Sequence, residues 1–165
     1  MEHLSASSFS LLMVVAGVGD VLSRRIPNIL SLLIALLFFP LALAAEMSWV
    51  MIGWSAATAL MVLVAGFACF HLGYLGGGDA KLLAASALWF GLSGIAPFLA
   101  MTAIAGGILT VIVAAGLLFR AESLPNGLAR PRVPYGFAIA AGAVLAAPGT
   151  WWGPDVPFWI LLTSH

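Results

Sequence analysis

The chain has 165 residues, of which 63% are hydrophobic and only 7% charged; six basic residues balance six acidic ones. A soluble domain carries roughly 25% charged residues, so these charges could not cover a water-facing surface, and the mean hydropathy of +1.15 points to a membrane protein. The neutral balance offers no basic face to nucleic acid, and the single cysteine, Cys69, excludes an intrachain disulfide and a Cys-based zinc site.

A helix crosses the hydrocarbon in about 20 apolar residues. In chain order, six segments qualify: 6–22, 29–45, 49–72, 79–92, 95–118 and 134–147. The fourth and sixth are short, as helices are when they begin in a cavity rather than in lipid. The start lacks the basic region of a signal peptide, and no A-x-A site follows the first apolar run, so that run reads as a retained span. The stretch 119–133, with Pro125, Asn126, Gly127 and Pro131, reads as a polar loop. Residues 158–163 are too few to span; with Trp151, Trp152 and Trp159 nearby, the tail 148–165 reads as interfacial. The expected fold is all-α: one polytopic membrane helix bundle over 1–165, with its core in 6–147.

The basic residues fix an orientation. Arg24 and Arg25 lie between spans one and two, Lys81 lies just after the connection of three to four, and Arg120, Arg130 and Arg132 lie between five and six. Alternating spans put all of them on one side, while the other side holds Glu2, Glu46 and Asp155. The positive-inside rule makes the basic side cytoplasmic and leaves both termini outside.

Among the acids, Glu2, Glu46, Glu122 and Asp155 fall in loops or termini. Asp20 and Asp79 fall at the cytoplasmic ends of spans one and four. Ionisable groups there are costly and tend to face a cavity or a partner. Each has an ordinary alternative: Asp79 as a helix N-cap, and Asp20 as an ion pair with Arg24 four residues on. Together they are the minimum equipment of aspartyl proteolysis, one carboxylate activating water and the other polarising the carbonyl. Gly76, Gly77 and Gly78 precede Asp79 and leave a bare edge on which an extended peptide could lie. Helix dipoles suggest Asp79 as the first base and Asp20, near a helix C-terminus, as the acid.

Gly76–Gly77–Gly78–Asp79 fits the G-x-G-D pattern of intramembrane aspartyl peptidases. Asp20 with Arg24–Arg25–Ile26–Pro27–Asn28, then Gly77–Gly78–Asp79–Ala80–Lys81–Leu82–Leu83, then Pro134–Tyr135–Gly136–Phe137–Ala138–Ile139–Ala140, resembles the prepilin (type IV leader) peptidases. The likeness is strongest to the short branch serving tight-adherence (Flp-type) pili, and runs from about 12 to 147. The resemblance implies that Asp20 and Asp79 are catalytic and that a short basic leader is cut from prepilins at the cytoplasmic face of the bacterial inner membrane. Longer relatives also N-methylate the new terminus and carry a cytoplasmic domain with paired CxxC motifs. This chain has one cysteine and a short first connection, so peptidase activity without methylation, metal or cofactor is expected.

Other residues have two readings each. Arg24 and Arg25 anchor the chain at the headgroups or, with Lys81, meet acidic residues near the scissile site. Tyr135 lines the cleft or belongs to an aromatic belt. His71 is interfacial. Two other functions are compatible with intramembrane acids and Gly-broken helices: a small proton-coupled transporter or channel, and a structural assembly subunit.

Overall fold

A computed structural model describes residues 2–23, 26–118, 133–148 and 150–152. They form α1 (Glu2–Ser23), α2 (Asn28–Ala44), α3 (Trp49–His71), α4 (Gly77–Leu118) and α5 (Tyr135–Ala146), with no strand among them. The loop expected at 119–133 lies almost wholly outside the described residues, and 158–163 does so entirely.

Local chemistry sets the helix ends. Pro27, extended at φ −61° and ψ 133°, precedes α2. At the other end of α2 the Met47 N–H donates to the Ala42 carbonyl and Glu46 N–H to Leu43, while Glu46 turns left-handed at φ 56°. The Ser48 hydroxyl then caps α3, accepting from the Met51 N–H at 3.3 Å. The end of α3 repeats the α2 pattern, with Tyr74 N–H to the Cys69 carbonyl, Gly73 N–H to Phe70, and Gly73 at φ 79°. That turn aims residues 74–76 back toward α4.

Helix α4 is interrupted at Gly91, whose φ of 58° and ψ of −166° are not helical. A Cβ on Gly94 would lie 3.2 Å from that of Phe90, whereas residues four apart on an unbroken helix keep theirs about 5–6 Å apart. The rings of Phe90 and Phe98 stack at 4.5 Å. The packing partners confirm a reversal. Gly66 and Ser55 of α3 meet Ala80 and Gly91, so α3 runs antiparallel to residues 77–90. Met13 and Phe9 of α1 meet Ser86 and Trp89, which makes α1 antiparallel to the same segment. Gly17 of α1 meets Ala140 and Phe137 of α5, while Gly106 meets Tyr135 and Ala138 of α5 and Thr102 meets Gly142. Residues 92–118 therefore run opposite to 77–90. The described chain contains six helical segments that alternate in direction, with the interruption at Gly91 rather than at 93–94, where the gap between the apolar runs falls. Residues 77–90 extend only about 21 Å at 1.5 Å per residue.

The break is held from the far end of the chain. Trp89 is fully buried and donates its indole N–H to the Ile34 carbonyl at 2.9 Å. The Trp89 carbonyl, beside the interruption, accepts the indole N–H groups of Trp151 at 3.0 Å and Trp152 at 2.9 Å. Trp152 packs on Phe9, Trp89 and Phe90 with no exposed surface. The sequence reading put Trp151 and Trp152 in an interfacial tail; Trp152 instead belongs to the core, because an orphan carbonyl offered its N–H a partner.

Outside, the bundle is apolar. Trp49, Val50, Trp54, Leu60, Val64 and Phe67 of α3 are all largely exposed. By length and composition, α3 and the apolar run 77–116, which Gly91 divides in two, are long and apolar enough to cross a membrane; residues 7–23 of α1, α2 and α5 are shorter apolar helices. Such an outer face suits lipid rather than water.

Candidate active site

The C-terminal end of α1, the start of α2, the 72–77 turn, and the N-termini of α4 and α5 lie at one end of the bundle. A cavity of about 690 Å³ opens there, lined by both Asp20 and Asp79. The two carboxylates lie near enough to interact electrostatically.

Asp20 is 6% exposed. Its Oδ2 accepts the backbone N–H of Gly136 at 2.8 Å. Gly136 is the second residue of α5, whose N–H has no partner within its own helix. Asp20 therefore caps α5 from another helix. Asp79 is the third residue of α4, and its carboxylate folds back against the backbone of Gly76, immediately before that helix. The fold-back has the direction of the reach-back half of a capping box. The helix-dipole argument that made Asp20 the acid consequently fails. Asp20 is near the C-terminus of its own helix, but its carboxylate meets the N-terminus of another, so both acids sit at helix N-termini.

The glycine run also has a packing role beside the acids. Gly77 and Gly78 are already helical, and among Gly76–Gly78 none has a positive φ. A Cβ on Gly76 would come 2.6 Å from Asp79 Oδ2. Gly76 is thus small because the carboxylate folds back over it. A Cβ on Gly78 would lie 3.3 Å from Ile26 Cβ, a tight approach, while one on Gly77 would only touch the Phe70 ring at 3.4 Å.

Of the remaining expected contacts, Gly76, Gly77, Gly78 and Tyr135 all line the cavity. Tyr135 also packs its ring against Gly106, so the cleft position and helix packing are combined in one residue. Lys81 does not reach the cavity. Its Nζ donates to Asn28 Oδ1 at 2.9 Å, beside a separate apolar groove between α2 and α3. Two residues along a helix is about 200° of rotation, so Lys81 faces away from Asp79. Arg24 and Arg25 lie outside the described residues.

Two residues of the site escaped the sequence reading. Gly136 donates to Asp20 and is so closely packed that a Cβ would meet Asp20 Oδ2 at 2.9 Å and Ile26 Cδ1 at 2.7 Å. Ile26 lines the cavity between the two acid-bearing corners. Both stood inside the quoted sequence blocks, but neither has side-chain chemistry to draw notice.

A family model described as the type IV leader peptidase family matches residues 7–111. The chain belongs to the type IV leader peptidase family. It is accordingly a membrane protease of the leader-peptidase kind, acting on prepilin-like substrates. The matched region carries Asp20, Asp79 and the whole glycine run, and stops before α5. The N–H that holds Asp20 thus comes from a helix beyond the match. No curated protein and no solved structure matches the chain.

Proposed function

We propose that Asp20 and Asp79 are the catalytic pair of an aspartyl endopeptidase that removes the short leader of Flp-type prepilins. The observation that carries this reading is the shared cavity: two carboxylates from distant parts of the chain face it together. Asp20 is anchored by the Gly136 N–H, and the Asp79 carboxylate lies against the Gly76 backbone, which restricts the direction of each.

One carboxylate takes a proton from water as the water oxygen attacks the scissile carbonyl carbon. The other carboxyl gives its proton to the carbonyl oxygen, forming a tetrahedral diol. On collapse the C–N bond breaks, the leaving nitrogen receives the proton taken from water, and the diol returns a proton to the second carboxylate. The pair ends as it began. Both acids sit at helix N-termini, so the helix ends do not assign which acid acts first.

Six alternating segments support a six-span bundle in the bacterial inner membrane. The basic connections mark the cavity end as cytoplasmic and leave both termini outside. The single cysteine and the short α1–α2 connection support cleavage without N-methylation, since the cysteine-paired domain of longer relatives has no counterpart here.

The test is purified full-length protein with a Flp-type prepilin, products read by mass spectrometry. The expected result is one shortened, unmethylated pilin, and no product from folded Asp20→Asn or Asp79→Asn. Full cleavage by either Asn variant would remove the dyad. Proton flux in liposomes without cleavage would favour a transporter instead.

A further inference from the structure

Each carboxylate is tied to the first turn of a helix, Asp79 to α4 and Asp20 to α5. What sets the distance between those two turns also sets the distance between the acids. One side chain touches both. The Cβ end of Ile26 packs where a Gly78 Cβ would lie, at 3.3 Å, next to Asp79. The Cδ1 tip of Ile26 packs where a Gly136 Cβ would lie, at 2.7 Å, on the residue whose N–H holds Asp20. The approach at Gly136 is closer than a Cβ would permit and the one at Gly78 is tighter than most, so the backbone of both glycines packs close to the isoleucine. Isoleucine is also suited to such a role. Its branched Cβ restricts χ1, so the reach from Cβ to Cδ1 is held rather than averaged over rotamers.

We infer that Ile26 is a positioning residue: a spacer between the N-termini of α4 and α5 that fixes the separation of Asp20 and Asp79. The inference rests on the reading of those two acids as the catalytic pair. Ile26 lines the cavity, but in this role it acts through Gly78 and Gly136 rather than on substrate. A spacer affects the turnover of bound substrate, whereas a substrate contact affects binding.

The experiment is steady-state cleavage of a Flp-type prepilin by full-length Ile26→Ala, Ile26→Val and Ile26→Leu, with rates normalised to folded protein. Ala removes everything beyond Cβ. Val keeps the Cβ that faces Gly78, with its branch, but cannot reach Gly136. Leu restores reach without the branch. For Ala and Val, kcat is expected to fall about 10- to 100-fold, the scale of an ångström-level misplacement, with KM within about threefold. Leu is expected to recover most of the loss. Ile34→Ala, which opens a similar hole beside Trp89 far from the cavity, is expected to lower thermal stability and leave kcat unchanged.

Three results would overturn the spacer role: undiminished kcat in Ile26→Ala, a raised KM at constant kcat, or an equal kcat loss in Ile34→Ala. Asp20→Asn and Asp79→Asn are run alongside. If they cleave, the catalytic reading fails and the spacer with it. If they are inactive while Ile26→Ala is fully active, only the spacer fails.

Discussion

Replacing Gly136 by alanine puts the smallest possible change against both halves of the site. The added Cβ would sit 2.7 Å from Ile26 Cδ1, 2.9 Å from Asp20 Oδ2 and 3.0 Å from Asp20 Cβ. Ordinary carbon contacts are about 3.5–4.0 Å, so something must move by about 0.8 Å. Ile26 is backed by Gly78, and Asp20 belongs to α1, which is pinned to α5 one turn away at Gly17 and Ala140. The easiest motion withdraws the start of α5, and it stretches the 2.8 Å bond from the Gly136 N–H to Asp20. Overpacking of this kind costs about 1–3 kcal/mol of stability. A displacement near 1 Å in a catalytic group costs up to about 100-fold in rate. Gly136→Ala is therefore expected to lower kcat by about 10- to 100-fold while the protein still inserts and folds. Prepilin cleavage kinetics and a thermal unfolding curve on the same preparation separate the two effects. Wild-type kcat in a folded Gly136→Ala enzyme would show that the hydrogen bond from α5 does not position Asp20, and the geometric argument would be wrong.

The other glycines give a contrast within one motif. Gly76→Ala forces the Asp79 carboxylate from its place and should cost at least about tenfold in kcat, whereas Gly77→Ala makes only an ordinary contact with Phe70 and should stay within about threefold; equal losses in the same cleavage assay would favour a bare edge for substrate. Lys81→Ala should leave kcat and KM within about twofold, because Lys81 is bound to Asn28 away from the cavity; a large rise in KM would return Lys81 to the substrate site. Gly91→Ala should destabilise the bundle by about 1–3 kcal/mol, since its backbone region is essentially reserved for glycine and its Cβ would meet Ser55 Oγ at 2.9 Å; an unchanged thermal midpoint would mean that the chain can turn there in another way.

Most of the fold could be read because lipid-facing helices announce themselves by composition. The apolar runs 29–45 and 49–72 differ by at most a residue at either end from α2, Asn28–Ala44, and α3, Trp49–His71. The long run after Asp79 divides near the expected place because a reversal there lets each half pack on a different partner. What the run did not reveal was the place of the break, at Gly91 rather than 93–94. A single glycine suffices because two indoles from beyond α5 satisfy the carbonyl beside it. A long-range hydrogen bond to backbone leaves no periodic trace, so Trp151 and Trp152 passed for interfacial aromatics.

The site divides along the same line. Asp20 and Asp79 stand out because a charged side chain inside an apolar run needs an explanation, and the alternation of helices brings both to one end. The supporting residues carry no such mark. Gly136 contributes a backbone N–H and an absent Cβ, and Ile26 contributes only shape. Lys81 is the opposite case: it is conspicuous and two residues from Asp79, yet it bonds Asn28 and does not line the cavity. Side-chain chemistry therefore singles out the two acids of the cavity and leaves the residues packed against them unmarked. In an apolar bundle the aiming falls to helix N-termini, which supply unpaired N–H groups wherever a helix starts. Asp20 and Asp79 each occupy one, so the start of a helix is as informative as the acid itself in locating such a site.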